Sequence, residues 1–413
     1  MNTESTLRTD QSLESSARRE GLFSSLRALP QPAWVLFGGT FLNKFGAFVV
    51  PFLALYLTRQ GHTAAETGLA VGAYGVGNLL ASLAGGYLAD RLGRRRTIIL
   101  SMFSGAAAMM LLSQAQHLPA IVGLTLLTGL TGEFYRPACS ALLADLVPPA
   151  RRVTAFAALR VAFNAGFAFG PATAGFLASC GFFWLFAGDA GTSVLFGLVA
   201  WLALPPALPV REATAGWTRA WSVLRQDYEL HRLLLANFSI ALLFVQLVST
   251  FGLHVVNLGF STVVYGAVIS LNGVLIVLVE LPLTVVTRRF PPRRVMAVGY
   301  TLCGIGFALN GLARTVAGLV ACMIVFTLGE MITMPTSSAY VANLAPAKMR
   351  GRYLGVSGLT WATALIVGPA LGMKLYAVAP AIYWMACAAL GLLAAAIISR
   401  PAAGEAGPAR KRM

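Results

Sequence analysis

Apolar residues gather in twelve long runs, near 34–58, 68–89, 97–114, 119–144, 153–179, 182–204, 232–258, 263–287, 295–313, 315–343, 351–377 and 379–399. Most reach about twenty residues, the length a helix needs to cross the hydrocarbon core of a bilayer. Membrane β-barrels are built instead from short strands of alternating polarity. Inside a bilayer no water satisfies the backbone, so only helices and closed barrels can span it. The pattern therefore predicts an all-α integral membrane protein with twelve transmembrane helices, called spans 1 to 12 below.

Six runs precede and six follow the polar stretch 205–231, the longest polar connection in the chain. This predicts a tail at 1–30, a six-helix bundle at 31–204, a linker at 205–231, a second six-helix bundle at 232–400 and a tail at 401–413. Within the linker, Trp217, Trp221, Leu224 and Tyr228 recur at helical spacing, which predicts a short helix lying on the membrane surface. Arg18-Arg19 ahead of Leu22-Phe23 is similar to a twin-arginine export signal. The run that follows is too long for a cleavable signal core of about 7–15 residues, so 1–30 reads as a mobile tail.

The two halves repeat. ALLADLVPPARR (141–152) matches AYVANLAPAKMR (339–350), and Pro137, Pro148 and Pro171 match Pro335, Pro346 and Pro369 at a constant offset of 198 residues. Arg95-Arg96 and Arg293-Arg294 keep the same offset. A parallel repeat of six spans is the sequence mark of a transporter whose halves move around a central site.

Charge changes the picture in one respect. The chain is 57% hydrophobic and 11% charged, with a net charge of +16. Soluble proteins carry roughly 25% charged residues, so a water-facing surface is excluded. So basic a chain suggests nucleic acid, but the placement of the charges excludes that partner. Of the 31 Lys and Arg, 25 fall in the two tails and the even-numbered loops, and only Arg59, Arg314 and Lys374 lie on the other side. This bias predicts both termini in the cytosol. Cys139, Cys180, Cys303, Cys322 and Cys387 are far apart, with no disulfide or ligand spacing, and read as small apolar residues. No metal site and no cofactor is expected. No phosphate-cradling glycine loop with Lys-Ser/Thr is present, so ATP is not expected to drive the protein directly.

The loop after span 2 reads GGYLADRLGRRR, residues 85–96. Gly86 allows a close helix approach, Asp90 places a carboxylate among arginines, and Gly93 turns the chain. The pattern of Gly86, Asp90, Arg91, Gly93, Arg94 and Arg95 closely resembles the signature loop of the major facilitator superfamily, and the resemblance covers essentially the whole chain. It implies two six-helix bundles related by a parallel repeat. It also implies a loop that latches the cytosolic ends of the halves, with Asp90 meeting the positive N-terminal end of span 11, a contact of about 0.3–2 kcal/mol. The equivalent loop TRRFPPRR (287–294) lacks the aspartate, which leaves the first as the latch.

Span 5 carries GFAFGPATAG, residues 166–175. Gly166, Gly170, Pro171 and Gly175 resemble a motif of drug–proton antiporters in that superfamily, with Ala174 in place of one glycine. Such antiporters often carry an arginine in span 4 about twelve residues before the position of Pro137, where this chain has Thr125. The pair Glu133 and Arg136, three residues apart on one helix face, could substitute for it.

Ionisable groups deep in a membrane span are costly and default to functional readings. Here they are Lys44, Glu133, Arg136, Arg160, Asp189, Glu280 and Glu330. The resemblance implies that spans 1, 4, 7 and 10 line the cavity, which favours Lys44, Glu133, Arg136 and Glu330. Glu330 and Glu133 are the proton-coupling candidates, Glu330 foremost because no basic residue lies within a turn of it. Asn43, Lys44, Tyr135, Arg136, Gln246 and Trp361 are expected in the substrate cavity, with Phe134 and Asn257 as weaker additions. Arg160 can reach the cytosolic surface, Asp189 lies near the outer end of its span, and Glu280 is expected to cap a helix or pair with an arginine of 288–294. His254 reads as an interfacial residue.

These features favour a secondary active transporter, a proton-coupled exporter of small amphipathic molecules in a bacterial inner membrane. Its partners are a small-molecule substrate, protons and the lipid bilayer, and it acts as a monomer. A major facilitator importer of a sugar or organic acid is the alternative. An enzyme is disfavoured because no nucleophile–base pair stands at suggestive spacing, and a membrane sensor or scaffold is the reading of another class.

Overall fold

The computed structural model describes residues 21–206 and 217–400. Residues 1–20 of the predicted tail 1–30, the predicted tail 401–413 and the linker segment 207–216, with their basic residues, lie outside the described residues, while Leu22–Arg27 of the first tail is helical with Ser25 buried. All twelve apolar runs are helical, and among the described residues ten helices are long and apolar enough to cross a membrane. The other two runs are interrupted. Span 1 is split into Gln31–Phe45 and Val49–Arg59, and span 9 is Pro292–Ala308 continued by a 3-10 turn, Leu309–Gly311. In the linker, Trp217–Gln226 is helical, with Leu224 buried and Trp221 and Val223 exposed.

Two compact units emerge. The first takes residues up to Thr214 together with Gly273–Arg289 and Ser338–Ala362. The second takes Ala215–Asn272, Phe290–Ser337 and the chain from Thr363. The division differs from the two sequence halves, because the arginine-bearing ends of spans 8, 10 and 11 pack with the first six spans. That end is called the basic end below.

In the first unit the breaks in the helices have identifiable causes. The halves of span 1 meet at Gly46–Phe48, where a Cβ on Gly46 would sit 1.8 Å from the Thr192 hydroxyl. The backbone N–H of Val49, freed by the break, donates to Asp189 of span 6 at 3.4 Å. Span 4 pauses at Phe134, between Leu118–Glu133 and Tyr135–Leu146. Ser101 of span 3 repairs that pause. Its hydroxyl donates to the Thr131 carbonyl at 2.5 Å and accepts from the Tyr135 N–H at 3.1 Å. Buried backbone groups without partners are costly, so each break is tied to one polar side chain from another span.

Spans 2 and 4 touch backbone to backbone. A Cβ on Gly129 would lie 2.4 Å from the Tyr74 carbonyl, and one on Gly77 would lie 2.2 Å from that of Leu126. Small residues permit such crossings in membranes. Gly129→Val is therefore expected to cost about 1–3 kcal/mol through overpacking. It should appear as a lower midpoint in thermal unfolding of the detergent-solubilised protein, while Gly123→Val, at an open position, should leave the midpoint nearly unchanged.

The second unit has its own break, at Ser249, between Tyr228–Val248 and Thr250–Asn257 of span 7. Gln246 spans this region. Its amide donates to the Gly368 carbonyl at 2.9 Å, and its oxygen accepts from the Thr250 hydroxyl at 2.7 Å. Gly304 of span 9 and Gly391 of span 12 face each other so closely that a Cβ on Gly391 would lie 2.5 Å from the Cα of Gly304. Asn237 collects the hydroxyls of Tyr300 at 2.7 Å and Ser337 at 2.9 Å.

Candidate functional site

Lys44 lies in the last turn of the first half of span 1 and Glu133 ends the first half of span 4, so both lie beside the helix breaks. Their side chains meet at 2.9 Å with both largely buried. Arg136, half exposed, approaches the other carboxylate oxygen at 3.6 Å, and the Tyr74 hydroxyl donates to Glu133 at 3.4 Å. The ammonium of Lys44 lies 5.8 Å from the centre of the Tyr135 ring and 5.3 Å from that of Phe163. Arg136 stands 5.4 Å from the same Phe163 ring. The first unit thus brings Lys44, Glu133, Arg136 and Tyr135 together as an ion group walled by aromatic faces, a setting that suits cation–π contact. Asn43 points elsewhere, with its amide 3.8 Å from the Met102 sulfur. Tyr74 and Phe163 were missed by sequence reasoning. Tyr74 is the one polar ring in the outer half of span 2, which is the signal that could have found it.

Gly166 and Gly170 lie directly against this group. A Cβ on Gly166 would be 2.5 Å from the Phe41 carbonyl, and one on Gly170 would be 2.9 Å from that of Phe45. The absence of side chains lets span 5 press on the helical turn that holds Lys44. Pro171 and Gly175 belong to the same helix, but their side chains lie outside the described ones.

In the second unit Glu330 is buried. It accepts from the Asn272 amide at 2.7 Å, and that amide also donates to Thr327 at 2.9 Å. Gln246 is buried at the break of span 7 as described, whereas Trp361, partly buried on span 11, belongs to the first unit. Two expectations change. Glu280 pairs with Arg160 of span 5 at 2.7 Å, because both lie inside the first unit at matching depth. His254 is no interfacial residue. It is buried, and its Nε2–H donates to the Asn310 carbonyl at 3.0 Å while Nδ1 accepts from the Tyr376 hydroxyl at 2.8 Å.

At the basic end, Asp90 is fully buried. Its two oxygens accept from the backbone N–H groups of Gly351 at 3.1 Å and Arg352 at 2.9 Å, in the first turn of the span 11 helix, Arg350–Val378. Gly86 makes this possible, since a Cβ there would lie 2.5 Å from the Gly351 carbonyl. Arg94 bridges Asp90 at 3.1 Å and Asp145 at 3.1 Å, and Arg350 pairs with the other oxygen of Asp145. Gly93, with φ of +96°, turns the chain so that Arg94 begins span 3. Arg95 donates to the Trp201 carbonyl, while Arg91 is exposed and bonds Tyr87 at 2.7 Å.

The repeat is visible in these contacts. Arg152 donates to Asn343 and to the Ala144 carbonyl. Arg350, its equivalent 198 residues on, donates to Asp145 and to the Ala342 carbonyl. Asp145 is the equivalent of Asn343, so the two halves clasp each other's matching positions within the first unit. Arg288 stands where the repeat would place a second Asp90. It bonds Ser25 of the Leu22–Arg27 helix at 2.6 Å and approaches Thr154 at 3.4 Å.

A helical membrane protein with an internal six-span repeat, buried mid-span charges and a carboxylate latched to a helix N-terminus belongs to the class of secondary transporters. The Major Facilitator Superfamily model matches the chain twice, over residues 36–279 and 233–413, and the chain belongs to this family. Similar proteins include the uncharacterised MFS-type transporter YqjV of Bacillus subtilis, 27% identical over 82% of this chain and 85% of that protein. A Na(+), Li(+), K(+)/H(+) antiporter of Planococcus maritimus is 25% identical over 81% of this chain and 87% of that one. The multidrug resistance protein MdtH of Aeromonas salmonicida is 27% identical over 87% and 91%. Among solved structures, the human organic anion transporter MFSD10 (TETRAN) covers 89% of this chain and 100% of its own, with a TM-score of 0.74 and 22% identity.

Proposed function

We propose that the protein is a proton-coupled exporter of small amphipathic molecules, placed in a bacterial inner membrane with its basic end and both termini in the cytosol. The observation that carries this reading is the Lys44–Glu133–Arg136 group set among the rings of Tyr135, Phe163 and Tyr74. Such a place offers a charge and an apolar face at once, which is what an amphipathic molecule presents. Relatives named as a multidrug resistance protein and as a cation/proton antiporter support exchange for protons. Glu330 carries the exchanged proton, and Glu133, held by Lys44 and Arg136, chiefly sets substrate preference.

The test is flux of a panel of amphipathic dyes into everted vesicles with an imposed pH gradient. At least one dye should accumulate, and an uncoupler should abolish the accumulation. Cells that gain dye on expressing the protein, rather than lose it, would favour import. Glu133→Gln should alter which dyes compete while leaving proton-driven uptake of the best dye in place. Equal loss of uptake for every dye would count against that division of roles.

The orientation has its own test. Native Cys180 is exposed at the end opposite the arginines, so it is replaced by serine first. New cysteines beside Arg59, His117 and Lys374 should then react with an impermeant maleimide in intact cells, and those beside Arg94 and Arg151 should not. Labelling beside Arg94 would reverse the topology.

A further inference from the structure

We infer that Asp189 is a second proton site of the transport cycle, the group that takes up and gives back a proton beside the Lys44–Glu133 pair. This rests on the proton-exchange reading above and adds a residue to it. Asp189 lies in span 6, Phe182–Ala203, about 10 Å along the helix from Phe182 at 1.5 Å per residue. It is buried. Among the described residues no basic side chain is within ion-pairing distance of it. Its carboxylate accepts the 3.4 Å hydrogen bond from the Val49 N–H at the break of span 1, with the neighbouring Phe48 N–H also directed at it.

Groups facing it from neighbouring helices differ in their ties. Lys44 of span 1 and Glu133 of span 4 are within its electrostatic reach, and so is Tyr74 of span 2. Lys44 is committed to Glu133 at 2.9 Å, and Glu133 has Arg136 as a second cation. Spans 3 and 5 also pack on span 6. Between residues 97 and 112 and between 161 and 180 they bring no Lys, Arg, Asp, Glu or His. Of the two first-unit carboxylates near the break, Glu133 is therefore held as a counter-ion and Asp189 is the one left to exchange a proton. The step is a plain acid–base one: a proton adds to a carboxylate oxygen, giving the neutral acid, and leaves again to water.

The alternative is that Asp189 only caps the half-helix Val49–Arg59. The repeat argues against a need for a carboxylate there. The position 198 residues on is Cys387, which is buried, and span 7 has its own break without an acid at that place. An asparagine at 189 would also keep an oxygen for the Val49 N–H, so Asp189→Asn separates capping from protonation.

Two measurements on the full-length protein test the assignment. The first follows the infrared C=O stretch of protonated carboxylic acids in the purified protein as pH is changed. Asp189→Asn should remove a component of this band, Glu133→Gln should not remove the same component, and Asp189→Glu should restore a band at a shifted frequency. The second measures ethidium in proteoliposomes under a pH gradient. Asp189→Asn should lose uphill accumulation and keep downhill exchange. An unchanged carbonyl band in Asp189→Asn overturns the assignment whether or not ethidium moves. A lost band with uphill accumulation equal to the parent's overturns it as well. If the parent itself moves no ethidium under the gradient while the band is lost, the export reading fails for this probe and the proton site stands.

Discussion

Glu330→Gln is expected to abolish uphill, proton-driven transport while leaving substrate binding and downhill exchange in place. Glu330 sits mid-span in span 10, buried, with the Asn272 amide on one oxygen at 2.7 Å. Glutamine keeps an oxygen for that amide and nearly the same volume, so the fold should tolerate the change. It removes only the ability to ionise. A buried carboxyl group exchanges its proton according to burial and neighbouring charge, which is the property a coupling group needs. Substrate flux into vesicles with an imposed pH gradient reads the result. If Glu330→Gln concentrates substrate as well as the parent, Glu330 is not the coupling group. Asn272→Ala offers a check, because it removes the bond to Glu330 without removing the carboxylate. It should lower the rate of proton-driven transport without abolishing it.

Much of the architecture was legible in the sequence because bilayer physics leaves few choices. Twenty apolar residues must become a helix, and the arginine bias and the 198-residue offset then give the order and pairing of the spans. The charges that matter were also legible, since an ion inside a span is rare enough to be noticed. What joins them was not. The break in span 1 is tied to Asp189, and that in span 4 to Ser101. Neither is foreseeable from local propensity, because the partner stands on another span. In the sequence Glu280 reads as a helix cap or a partner for an arginine of 288–294, yet it pairs with Arg160, 120 residues away. Helix periodicity reports which face of a span a residue occupies, and it says nothing about which span faces it. Asp145 shows the reverse case. The repeat aligned it with Asn343 and aligned Arg152 with Arg350, and the crossed pairing of those four side chains follows from that alignment once the basic ends are in contact.

The same network yields the expectation for Asp90. Its two oxygens take the N–H groups of Gly351 and Arg352 while Arg94 holds it from the side. In Asp90→Asn the new side chain would have one oxygen for two N–H donors, and its own amide group would face a donor. Hydrogen bonds to a charged group are worth about 1.5–3 kcal/mol each, and 1.4 kcal/mol is a factor of ten in population. The substitution should therefore shift the protein by about tenfold or more toward states in which the basic ends of spans 2 and 11 are apart. Expression should stay near normal, because the latch lies at one end of the helices and the packed interiors are untouched. Transport should fall, since the cycle then dwells in one state. Spin labels on the 91–96 and 288–294 loops should report a longer distance in Asp90→Asn than in the parent. Asp145→Asn should move the distance in the same direction, and the double variant should move it less than the sum, because both carboxylates act on Arg94. Unchanged distances together with full transport would show that the contact between Asp90 and span 11 does not control opening at this end.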